Sequence, residues 1–84
     1  MKIVFADQAW DDFTYWVNHD RTIAKRIIRL IKEIEQDPFD GIGKPEPLKH
    51  DLTGFWSRRI TDEHRLVYSV EKNQILIAQA RYHY

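Results

Sequence analysis

An α+β domain follows from the order in which hydrophobic periodicities succeed one another along this chain. A short β-rich opening comes first, two stretches of helical period follow, and three strand-length segments close the sequence. That order implies a helical hairpin laying its Ile, Trp and Phe stripes on one face of a sheet and leaving the other face open.

Lys2 to Phe5 is the opening strand and stops at Ala6-Asp7. Trp10, Phe13, Trp16 and Val17 then recur at helical spacing, with Asp7 as the expected N-cap. Asp11 and Asp12 lie near the positive end of this helix's dipole, where an acid is favoured by about 0.3–1 kcal/mol. Asn18-His19-Asp20 interrupts the pattern, and Ile23, Ile27, Leu30, Ile31 and Ile34 resume it as a second helix capped by Asp20. This helix must end before Pro38, whose ring disfavours helical dihedrals at Asp37. So short a connection between the two helices makes them an antiparallel hairpin.

Residues 38–47 hold all three prolines and two of the three glycines, which predicts one long loop. Beyond it Phe55 to Ile60, His64 to Val70 and Ile75 to Arg81 have strand length and β-branched or aromatic enrichment, and they predict an antiparallel meander. Ile75-Leu76-Ile77-Ala78 is apolar on both faces, as a central strand would be. Phe55 to Ile60 alternates with Arg and Ser, as a half-exposed strand would.

At 84 residues the chain is a single domain, able to bury only about 60–65% of its unfolded surface. Its 43% hydrophobic content argues against disorder. The absence of cysteine removes disulfides, thiolate metal sites and thiol nucleophiles from consideration. Thirteen basic and thirteen acidic residues cancel, which excludes a strongly cationic nucleic-acid clamp. The balance is uneven, however: −3 over residues 1–20, +1 over 21–40 and +2 over 41–84, so an anion would sit in the carboxy-terminal half. Met1 to Phe5 meets Asp7 too early for a signal peptide, and no apolar run approaches membrane-spanning length; a soluble, cytoplasmic protein is expected.

Glu46 lies between Pro45 and Pro47, both with fixed φ, and Pro47 pushes Glu46 itself into the extended region. A carboxylate on so stiff a mount suits a general base, although the same spacing describes a solvated acid in a surface loop. Arg58 and Arg59 point to opposite faces of their strand, and Arg65 and Arg81 lie on the next two strands. Arginines gathered on an open sheet face would match phosphate with paired N–H donors; ion pairs with Asp51, Asp62 or Glu63 are the alternative. Lys44 and Lys49 flank Glu46 and could guide an RNA backbone or merely solubilise the loop. The chain closes on Arg81-Tyr82-His83-Tyr84, where a histidine could protonate a leaving oxygen and a tyrosine could stack on a base, or the aromatics could simply close the core. The histidines show no metal-ligand spacing, so neither a metal nor a cofactor is expected. A Glu, an Arg and a His fit the metal-free cleavage of RNA, which carries its own nucleophile in the 2′-hydroxyl, although the same residue types occur on many inert surfaces.

Four segments carry a resemblance that sharpens this reading: Gly43-Lys44-Pro45-Glu46-Pro47-Leu48-Lys49, Gly54-Phe55-Trp56-Ser57-Arg58-Arg59-Ile60, His64-Arg65-Leu66-Val67-Tyr68 and Arg81-Tyr82-His83-Tyr84. The sequence resembles the YoeB toxins of the RelE superfamily, in register from Trp10 to the last residue, with Ala6-Asp7 standing where a serine cap is expected. The resemblance implies a RelE-like microbial RNase fold and a type II toxin that cleaves mRNA in the ribosomal A site. It also implies a homodimer neutralised by a YefM-like antitoxin. By the same resemblance Glu46 is the general base, His83 the general acid, Arg65 the phosphate-stabilising arginine and Tyr84 the terminal residue that places substrate. Lys44, Lys49 and Arg59 become RNA contacts. Two other readings fit the same fold: a DNA gyrase poison of the ParE type, which would not require this residue set, and a binding module whose open sheet captures a peptide.

Overall fold

The computed structural model describes residues 1–82. Its elements are β1 (Lys2–Phe5), α1 (Asp7–His19), α2 (Arg21–Gln36), β2 (Glu46–Pro47), a 3-10 turn (His50–Leu52), β3 (Trp56–Arg59), β4 (Arg65–Glu71) and β5 (Gln74–Gln79). The expected α+β class and the β3–β4–β5 meander are both present.

Local chemistry accounts for the helix ends. The Asp20 carboxylate accepts from the N–H groups of Thr22 and Ile23 and so caps α2, which stops at Gln36 with Asp37 extended before Pro38. The first helix departs from expectation, because Ala6 and not Asp7 is its N-cap and no side chain caps it. Asp7 is instead the first helical residue, where its charge still meets the positive end of the dipole.

The five strands form one sheet in the order β1-β5-β4-β3-β2. β1 runs parallel to β5 with Val4 opposite Leu76, and the other pairs are antiparallel. β5 is therefore an interior strand, as a segment apolar on both faces should be. The second departure is β2. The proline-rich segment is not a continuous loop, because Pro45 and Pro47 hold Glu46 extended and a two-residue strand pairs there with β3. Proline is tolerated at this place because β2 is the edge of the sheet.

Ile27, Leu30 and Ile34 of α2 join Leu66, Tyr68, Ile75 and Ile77 of the sheet in one core cluster, all fully buried. Trp10 is only a marginal member of the helical stripe: it is 52% exposed and meets Phe5 edge-on at 5.6 Å. The opposite sheet face is not wholly open either, since Leu48 and Val67 are buried there, outside the main cluster.

Arg58 is the largest fully buried side chain and faces this core, not a phosphate. Its Nε donates to the Tyr68 hydroxyl at 3.1 Å, Nη1 to the Ile42 carbonyl at 3.0 Å, and Nη2 to the carbonyls of Asp37 and Asp40 at 2.6 and 2.9 Å. The Tyr68 hydroxyl in turn donates to the Pro38 carbonyl at 2.7 Å. One guanidinium and one phenol thus satisfy the backbone of the α2–β2 connection, replacing a regular element. Gly43 closes the connection with φ +82°, and a Cβ there would approach Leu30 Cδ2 to 2.8 Å and Arg58 Cβ to 3.1 Å.

Burial pushes the Tyr68 hydroxyl above the ordinary phenol range, while its bond to Arg58 and that cation's field pull the other way. The raised folded value means that stability is held below about pH 10 and falls as the solution becomes more alkaline, where only the unfolded phenol ionises readily. Tyr68→Phe should remove that part of the alkaline loss and cost about 1–3 kcal/mol at neutral pH, measured by urea unfolding across pH. Arg58→Met should cost about 3 kcal/mol or more, because three carbonyls lose their donors together.

Candidate active site

Strand register places most of the predicted residues. Glu46 lies opposite Ser57, and Ser57 opposite Val67; Arg59 lies opposite Arg65. Side chains of register partners, and of residues two apart, share a sheet face, so Glu46, Arg59 and Arg65 project from the face away from the helices. Two strand spacings and two residues of offset separate Glu46 from Arg65, roughly 12 Å between Cα atoms. A nucleotide can lie in that interval.

Each group has a distinct support. Glu46 is exposed on the edge strand, and the Leu48 N–H donating to the Phe55 carbonyl at 2.9 Å continues its ladder. Arg65 is half-buried, and its Nη1 donates to the carbonyls of Thr61, Asp62 and His64 at 2.6, 3.1 and 3.0 Å. The turn before β4 therefore orients the guanidinium by one end. Arg59 is exposed, and its N–H donates to the Gly43 carbonyl, tying β3 to the loop that leads into Glu46. Lys44 adopts a left-handed φ of +53° immediately before Pro45. Lys49 is exposed and precedes the 3-10 turn; residues 47–52 line a groove of about 450 Å³ next to Glu46 in the chain.

The two remaining arginines are not part of this cluster. Arg58 is the core group already described. Arg81 lies with its guanidinium 3.5 Å from the centre of the Tyr15 ring and 4.6 Å from that of Tyr82, a cation–π stack against α1. The expected roles of His83 and Tyr84 fall outside the described residues.

What precedes them is held tightly. After β5 the chain leaves the ladder at Ala80, which is fully buried. Its N–H donates to Asp12 Oδ2 at 2.9 Å, and its carbonyl accepts from Trp16 Nε1 at 2.9 Å. Asp12 is itself 4% exposed and takes a further bond from Gln8 Nε2 at 2.8 Å. One turn of α1 thus serves both polar groups of one residue in the terminal segment. Sequence reasoning assigned Asp12 only to the helix dipole and Trp16 only to the apolar stripe; their i, i+4 spacing was the available signal. Two residues on, the Tyr82 N–H donates to His64 Nδ1 at 2.8 Å and its carbonyl accepts from the Arg65 N–H at 3.1 Å. The carboxy-terminal segment is thereby tied to the residue beside, and the backbone of, the candidate phosphate-binding arginine.

Residues 5–84 match the family described as YoeB-like toxin of bacterial type II toxin-antitoxin system. Toxin YoeB of Escherichia coli strain K12 is 57% identical over 84 residues, all of both chains. Among solved structures, a YoeB dimer from Staphylococcus aureus superposes with a TM-score of 0.94 at 48% identity, covering 100% of this chain and 98% of that one. A YoeB-YefM complex from the same organism gives 0.93 at 47% identity, with the same coverage.

The Ala80 clamp has a direct test. Asp12→Ala should cost about 1–3 kcal/mol in thermal unfolding by orphaning a buried N–H. It should also raise amide exchange at Ala80 while leaving exchange in α2 near its original rate.

Proposed function

Because the chain belongs to the YoeB-like toxins of bacterial type II toxin–antitoxin systems, we propose that it is a metal-independent endoribonuclease that cuts mRNA in the ribosomal A site. The observation that carries this reading is the shared sheet face of Glu46, Arg59 and Arg65, with the segment leading to His83 bonded at Tyr82 to the start of β4.

In the proposed reaction Glu46 removes the proton of the 2′-hydroxyl, and the freed oxygen attacks the adjacent phosphorus. Arg65 stabilises the negative charge that builds on the phosphate. Its Nη1 is occupied with turn carbonyls, so Nε and Nη2 are the donors a phosphate would meet, and the guanidinium needs little reorganisation to do so. His83 protonates the departing 5′-oxygen. The products are a 2′,3′-cyclic phosphate, open to hydrolysis to a 3′-phosphate, and a 5′-hydroxyl. Arg59, Lys44 and Lys49 contact the RNA backbone, and Tyr84 places the substrate.

Zero net charge supports dependence on the ribosome, because so few uncompensated cations would hold free RNA weakly. The ribosome then supplies the positioning that a large basic surface otherwise provides, and the toxin acts in the cytoplasm. The S. aureus relatives support two partners here, a second copy of this chain and a YefM-like antitoxin.

Primer extension on programmed ribosomes, beside the same mRNA free in solution, tests the reading. Breaks should fall at the A-site codon alone and disappear in Glu46→Gln and in His83→Ala, both folded by circular dichroism. Arg65→Ala should slow single-turnover cleavage roughly 10²–10³-fold. Absence of cleavage by the wild-type chain would overturn the nuclease reading and leave gyrase poisoning or simple binding.

A further inference from the structure

We propose that His64 is a positioning residue for the cleavage reaction: its neutral imidazole, as an acceptor, fixes the backbone N–H of Tyr82, the residue directly before His83. The inference rests on the nuclease reading for its catalytic consequence and on the observed geometry for the latch itself.

The donor in the bond to His64 Nδ1 is the Tyr82 backbone N–H, at 2.8 Å, so the direction of this bond is not ambiguous. Nδ1 must offer a lone pair, and the ring proton must be on Nε2. An imidazolium carries hydrogen on both nitrogens and would set one donor against another. The ring is held for this task. Trp16 meets it edge-on at 4.8 Å, and the Tyr82 ring lies 5.6 Å away.

The latch has a conformation to maintain. Tyr82 has φ +62°, a left-handed geometry that is unfavourable for a non-glycine residue. Bonds from both sides of the residue offset that cost: His64 takes its N–H and Arg65 donates to its carbonyl. Adjacent residues of the β3–β4 turn and β4 thus hold one residue of the terminal segment. The next residue is the proposed acid, whose reach to the leaving oxygen depends on where Tyr82 is held. The charged groups of the surrounding elements are Asp12 on α1, Arg81 in the terminal segment, and Asp62, Glu63 and Arg65 around the turn.

Asparagine at position 64 places an amide oxygen near the Nδ1 position and does not titrate, whereas alanine offers no acceptor. Wild type, His64→Asn and His64→Ala should be compared first by amide NMR of the free, 15N-labelled protein at neutral pH. The Tyr82 amide of the wild type should be protected from exchange. In His64→Asn it should stay protected, and in His64→Ala it should lose that protection. In single-turnover cleavage on ribosomes, His64→Ala should lose roughly 10- to 100-fold in rate at neutral pH with ribosome affinity unchanged. His64→Asn should recover to within a few-fold of the wild type. A Tyr82 amide as well protected in His64→Ala as in the wild type would overturn the latch. Wild-type cleavage by His64→Ala would overturn its catalytic role. If the wild-type chain cleaves no RNA, that role falls with the nuclease reading, and the amide data alone decide whether the latch exists.

Discussion

The buried guanidinium of Arg58 is the constraint on which the rest of the structure depends. Moving a cation into a core is costly unless every donor is matched, and here the matches come from the Tyr68 hydroxyl and from carbonyls of one irregular connection. The α2–β2 connection has no ladder of its own over residues 37–43, so its path is set by where those carbonyls must point. That path ends at Gly43, pressed between Leu30 and Arg58, and the following Lys44-Pro45-Glu46-Pro47 segment can only enter the sheet at its edge. The position of a surface carboxylate is thus determined in the core. A lysine could not substitute, because a single ammonium lacks the planar fork that reaches acceptors on three sides.

The other end of the chain is positioned by the same strategy, with side chains taking the place of a strand partner. β5 stops at Gln79, and Asp12 and Trp16 of α1 then bind the two polar groups of Ala80. His64 and the Arg65 N–H bind those of Tyr82. The base side of the proposed site is therefore referred to α2 and β3, and the segment that leads to the proposed acid is referred to α1 and β4. Arg59 and Arg65 stand opposite one another on the face that carries Glu46. Two like charges side by side on a strand pair oppose folding unless an anion is present, a stability–function compromise that fits a phosphate-handling surface.

Much of this was legible before the structure. The Ile27, Leu30 and Ile34 stripe, the Asp20 cap, the stop before Pro38 and the three closing strands follow from period, capping and proline sterics, which are local rules. The stiffness of Glu46 was legible for the same reason, and its strand character was missed because a two-residue pairing has no period to detect. The parallel pairing of β1 with β5 is a contact across most of the chain, and nothing within Lys2–Phe5 specifies its partner. Arg58 and Arg59 are indistinguishable as neighbours in sequence; only the register, which turns one inward and the other outward, separates core from site. Asp12 and Trp16 escaped notice as positioning groups because each had an adequate local explanation, and His64 because it was weighed only for metal-ligand spacing. Their actual partners lie 68, 64 and 18 residues away.

In the proposed reaction the RNA supplies the nucleophile, and this chain supplies a base, a cation and an acid around it. Single-turnover cleavage on ribosomes programmed with an mRNA bearing one 2′-deoxynucleotide at the scissile position tests it most directly. Cutting at that position should stop while the all-ribose control yields a 2′,3′-cyclic phosphate end. Continued cutting of the 2′-deoxy substrate at the same position would contradict it, because a water or protein nucleophile would then be at work.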